Sequence, residues 1–126
     1  MKKLSFLFSI LILSLNIGCA SGPPVFQFRP GVYTGEGQGF FGTIFVKVEV
    51  DTTQIISVSI GENRETPTIA APAFNRIPAQ IVERQSLVVD NVAGATITSN
   101  GIISGVKAAL LSAGATEEQL MAAARR

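Results

Sequence analysis

Asp90-Asn91-Val92-Ala93-Gly94-Ala95-Thr96-Ile97-Thr98-Ser99-Asn100 is the stretch on which the reading of this chain turns. A strand-like run ends here, the backbone narrows to Gly-Ala, and three hydroxyls arrive just before an amphipathic helix. The first N–H groups of a helix have no internal partners and carry the positive end of its dipole, so the corner suits an anion near Thr96 to Ser99. Gly94 permits a positive φ or the close approach of a ligand, and Ala95 adds only a methyl. The same pattern also serves as a plain strand-turn-helix junction, with Gly in the turn and Thr98 or Ser99 as the N-cap.

Working outward, the spacing predicts a helix from Asn100 to Ala113. Ile102, Ile103, Val106, Ala109, Leu110 and Ala113 form its apolar stripe and Gly114 ends it. Thr116-Glu117-Glu118-Gln119 has the pattern of a capping box, opening a last short helix toward Arg125 and Arg126. Before the junction, Pro78 is placed to start a short helix running to Gln85, and Leu87-Val88-Val89 reads as a short buried strand.

Thr43 to Val50 alternates, with Ile44, Val46, Val48 and Val50 on one face and Phe45, Lys47 and Glu49 on the other. Asp51 to Gln54 is a turn, after which Ile56, Val58 and Ile60 resume the apolar face, giving an antiparallel hairpin with one buried side. Gly35-Glu36-Gly37-Gln38-Gly39 resembles a phosphate loop in spacing, but a strand follows where such a loop needs a helix. A bulged or tightly turned β segment is therefore expected there. Together these elements predict an α+β domain, a small bent antiparallel sheet packed by helices.

The N-terminus reads differently. Lys2 and Lys3 precede an apolar run from Leu4 to Ile17, and Gly18-Cys19 follows. The run is short for a membrane span and has the form of a secretory signal over residues 1–18. Cys19 is the sole cysteine and sits where a lipobox places the residue that is lipidated; the alternative is an ordinary signal peptide with a chance cysteine. Residues 20–30 contain three prolines and read as an extended tether of at most about 3.3 Å per residue, with the domain at 31–126. The expected location is extracytoplasmic, on a bacterial membrane through the lipid.

Composition excludes several chemistries. Without residues 1–18 the chain has 8 basic against 9 acidic residues, so no basic face for nucleic acid is expected. The chain has no histidine, which rules out a His-based triad and, with a single cysteine, a soft metal site or haem attachment motif.

Asp90-x-x-x-Gly94-Ala95-Thr96 followed by Thr98-Ser99 resembles the flavinylation motif of the FMN-binding domain family, found in subunits of the sodium-translocating quinone reductase and the Rnf complex. Gly31-Val32-Tyr33-Thr34-Gly35, the hairpin, and the Glu65-Thr66-Pro67 segment extend the resemblance over roughly residues 31–114. It implies FMN held by a phosphoester on Thr96, placed there by a separate flavin transferase that uses FAD and a divalent metal. Asp90 is the motif residue that such a transferase is expected to read. Glu65 and Thr66 match a segment that lies near the flavin in this family, though Thr66 before Pro67 is also an ordinary turn pair. The chain departs from the pattern at Ala93, where a hydroxyl residue is usual, at Thr68, where Gly is usual, and at Asn63, where many relatives have His. The implied role is electron transfer with redox partner proteins. The alternatives are a flavin-carrying subunit of an extracytoplasmic reductase, and a flavin-free binding lipoprotein that uses the motif only as a turn.

Overall fold

The structure, a computed structural model, describes residues 26–122. The expected signal sequence, Cys19, and Arg125 and Arg126, toward which the last helix was expected to run, lie outside the described residues. Three strands come first: β1 (Gly31–Gln38), β2 (Thr43–Val50) and β3 (Ile55–Ile60), paired antiparallel in the order β1-β2-β3. Three helices follow: α1 (Pro67–Arg84), α2 (Thr96–Ser112) and α3 (Glu117–Leu120). The result is the α+β arrangement read from the sequence, a small antiparallel sheet packed by helices.

The alternation in β2 holds residue by residue, with Ile44, Val46, Val48 and Val50 all in the core. β3 departs from its expected face at one position. Opposite Glu49 and Val50 the partner jumps from Ser57 to Ile55, so Ile56 is an extra residue in the ladder. That bulge turns Ile56 outward and Ile55 into the core, while Val58 and Ile60 stay on the inner side. Gln85, at the left-handed end of α1, secures the same place: its Nε2 donates to Ile55 O at 2.9 Å and its Oε1 accepts from Ile55 N–H at 2.7 Å.

Of the two forms expected for the glycine run, the bulge is absent and the tight turn is present only at its last glycine, Gly39. β1 pairs with β2 one-to-one from Gly31 to Gln38, and the tight turn comes after it, where Gly39 N–H donates to Gly42 O at 2.7 Å. Gly35 and Gly37 serve packing instead. They share one face of the strand, and α2 lays Gly101 and Gly105, one turn apart, directly on it. A Cβ on Gly35 would stand 1.9 Å from Gly105 O, and one on Gly37 would stand 1.7 Å from Gly101 O. Helix and strand backbones thus touch, which no other residue at those positions allows. Alongside this contact, Ile102, Val106, Ala109 and Leu110 are fully buried, each large side chain contributing about 1.5–3 kcal/mol.

α1 is much longer than the Pro78–Gln85 helix expected. It begins at Pro67, where proline's missing N–H costs nothing, and runs through Pro72 and Pro78. An interior proline costs a helix about 3 kcal/mol. Burial of Ala70, Ala73, Ile77 and Ile81 against the sheet offsets that cost. Leu87-Val88-Val89 is not a strand. Leu87 is buried and its N–H bonds Leu120 O, but Val88 is exposed, and the segment pairs with none of the three strands. The tether also ends earlier than read: Phe26 and Phe28 stack at 4.8 Å inside the core, since two phenyl rings gain more there than in water. α3 opens with the expected capping box, Thr116 to Gln119.

Candidate functional site

The site begins where α2 begins. Ala95 N–H donates to Val92 O at 2.9 Å, closing a turn in which Gly94 takes φ +84°, and a Cβ on Gly94 would meet nothing within 4 Å. α2 then starts at Thr96, four residues before the expected Asn100, with Ala95 as N-cap and no side-chain cap. Neither Thr98 nor Ser99 caps the helix, because both already lie inside its first turn. Ser99 Oγ donates to Ala95 O at 2.7 Å and accepts from Val92 N–H at 3.2 Å, locking the turn to the helix. Thr98 Oγ1 donates to the Glu65 carboxylate. Among the described residues, the Thr96 hydroxyl has no such partner, and Thr96 is exposed.

A cavity of about 370 Å³ opens at this corner. One wall is Gly94 to Thr98. A second is Thr66, Ile69 and Ala70, the start of α1, whose N-cap Thr66 also makes no side-chain capping bond. Two helix N-termini therefore meet at one cavity, and both present backbone dipoles in place of a basic side chain. The third wall is Phe40 and Phe41, edge to face at 4.8 Å and both more than half exposed. With Ile69 and Ile97, also exposed, they give an apolar mouth to a cavity with a polar floor.

Glu65 forms part of that floor and is 7% exposed. Its Oε1 accepts from Phe41 N–H at 2.8 Å, and its Oε2 accepts from Phe40 N–H at 3.1 Å and from Thr98. Burial alone would push the carboxyl's pKa up, but the bonds from Thr98, Phe41 and Phe40 together outweigh it and hold the group below its ordinary range. Asn63 prepares Glu65 for this, accepting the Glu65 N–H on Oδ1 at 3.0 Å while its own amide donates to Gly61 O.

The structure brings Gly94, Ala95, Thr96, Thr98, Glu65 and Thr66 to one cavity. It leaves two other expected site residues outside. Ser99 is fully buried behind the wall, and Asp90 stands away from the cavity on the surface, paired with Arg84 at 3.1 Å and held through its backbone by Gln80. The sequence reading missed Phe40, Phe41, Ile69 and Ile97. A signal was present in the first pair, since adjacent residues of a strand point to opposite faces and both rings could not be core.

An apolar mouth, two uncapped helix N-termini and open space over Gly94 fit a molecule with a flat ring at one end and a phosphate at the other. Comparison with known proteins agrees. Residues 39–111, which contain every residue of the cavity wall, match the FMN-binding domain family. The chain is 36% identical over 99 residues to NADH:acrylate oxidoreductase of Vibrio harveyi, covering 79% of this chain and 10% of that protein. It is 32% identical over 81 residues to an uncharacterized protein of Treponema pallidum (strain Nichols), covering 64% of this chain and 22% of that protein. The chain thus spans well under half the length of these relatives. It belongs to the FMN-binding domain family.

Proposed function

We propose that this domain carries FMN on Thr96 through a phosphoester and works as an electron carrier held at the outer face of a bacterial membrane. The observation that carries the reading is the division among three neighbouring hydroxyls. Thr98 is committed to Glu65 and Ser99 to Ala95 and Val92, whereas Thr96 is exposed beside two helix N-termini. In the attachment step, Thr96 Oγ1 forms a bond to the FMN-side phosphorus of FAD, AMP leaves with the electrons of the broken pyrophosphate bond, and the hydroxyl proton is lost. A separate flavin transferase supplies the catalysis. Gly94 leaves room for the incoming nucleotide.

Bound FMN supplies acceptance of two electrons and their release one at a time. The chain's residues would hold and shape it: the helix N-termini would take the phosphate end, and Phe40, Phe41, Ile69 and Ile97 would offer apolar surface to the ring. The likeness to NADH:acrylate oxidoreductase supports a redox role. Cys19, ahead of the described residues, would carry the lipid; Cys19→Ser is expected to release the protein from the membrane fraction. The reading is tested by colour. Protein made together with a flavin transferase and then denatured should keep yellow fluorescence, and a colourless polypeptide would refute covalent attachment.

A further inference from the structure

Glu65 is placed where it reaches both sides of the cavity without belonging to either. The Phe40–Phe41 turn is exposed, and neither of its two amides bonds another backbone group; both go to the two oxygens of one carboxylate. That carboxylate also receives the Thr98 hydroxyl from the first turn of α2. Space around it is closed, since a Cβ on Gly39 would come within 2.8 Å of Glu65 Oε1. Three donors and no acceptor converge on it, so the group required is one that only accepts.

We propose that Glu65 is a positioning residue: its carboxylate braces the Phe40–Phe41 turn against the start of α2, fixing the spacing between the cavity's aromatic wall and its phosphate-facing helix end before any cofactor arrives. The proposal rests on the reading of this cavity as the FMN site. Its effect is preorganisation, because a wall already in place need not be ordered when the ring settles against it. A glutamine cannot replace the carboxylate. Its single carbonyl oxygen can satisfy one side, and its amide then points a donor at the other N–H.

Amide hydrogen exchange decides the matter in the full chain, in detergent and made without a flavin transferase. In the unaltered protein, Phe40 and Phe41 should exchange at least about tenfold slower than unprotected amides, and Glu65→Gln should remove that protection from at least one of them. The β2 amides of Val46 and Val48 should stay protected in the variant. Unprotected Phe40 and Phe41 amides in the unaltered chain would overturn the proposal with no variant needed. So would unchanged protection in Glu65→Gln, or a loss of protection in β2 as large as that in the turn, which would make Glu65 a general stabiliser. A second readout uses flavin-loaded protein, in which Glu65→Gln should alter the visible circular dichroism of the flavin, whereas an unchanged spectrum would contradict the bracing of its wall. The exchange result is independent of Thr96: protected turn amides in a chain that never takes up flavin would refute the cofactor reading and leave the brace standing.

Discussion

Thr98, in the first turn of α2, donates its hydroxyl to the carboxylate of Glu65, 33 residues earlier in the chain. Helix start, aromatic turn and carboxylate are thereby one unit. Removing the hydroxyl alone by Thr98→Val keeps the β-branched shape and leaves Glu65 its two backbone donors. A hydrogen bond to a charged group contributes about 1.5–3 kcal/mol, and the melting temperature should fall accordingly. Flavin loading should persist, and colourless Thr98→Val protein that folds would show that Thr98 takes part in attachment.

Glu65 also sets an acid limit. Its native pKa lies below the ordinary carboxyl value of 4.5, so in acid the unfolded chain binds its proton more readily than the folded one does. Stability from this group is complete above about pH 4.5 and is lost as pH falls through the lowered native value. Asp51, whose carboxylate accepts from Thr53 and Gln54, acts in the same direction from an exposed site. Denaturant unfolding measured at a series of pH values should show stability falling below pH 4.5, less steeply in Glu65→Gln. An equal slope in both proteins would contradict the assignment.

Gly35→Ala and Gly94→Ala should fail differently. The first puts a methyl 1.9 Å from Gly105 O, a backbone atom that no rotamer change can move aside. Overpacking costs about 1–3 kcal/mol where side chains can yield, and more is expected here, so the variant should lose soluble, folded protein. At Gly94 the space is open, and only the φ of +84° opposes alanine, a strain of about 1–2 kcal/mol. Gly94→Ala should fold with a lowered melting temperature. Equal yields and melting curves for the two variants would dismiss the contact between α2 and β1.

Asp90 lies away from the cavity with its side chain 81% exposed, so its pair with Arg84 adds little stability. Asp90→Asn should therefore shift unfolding by less than about 1 kcal/mol. If a transferase reads this residue, flavin loading falls all the same, and full loading at the wild-type rate would remove Asp90 from the recognition motif.

The sheet was legible because Ile44, Val46, Val48 and Val50 alternate cleanly, and α2 because its stripe repeats with a helical period. What escaped was long-range. Pro72 and Pro78 argue locally against a helix through 67–84, and only burial against the sheet, invisible in the sequence, overrides them. Gly35 and Gly37 read as a bulged or tightly turned segment, and not as a packing face, because their partners, Gly105 and Gly101, lie more than sixty residues away. Thr98 and Ser99 suited a cap, yet each found a better partner once Glu65 and the Val92 turn closed on them. The turn at Gly94 was legible on its own, because its positive φ is a local property, whereas the start of α2 was read four residues late.

Peptide mass spectrometry of protein made with a flavin transferase decides whether Thr96, and not Thr98 or Ser99, carries the flavin. The added mass of FMN less one water should map to Thr96, and Thr96→Val should fold without it. Finding that mass on Thr98 or Ser99, or on folded Thr96→Val protein, would contradict the account.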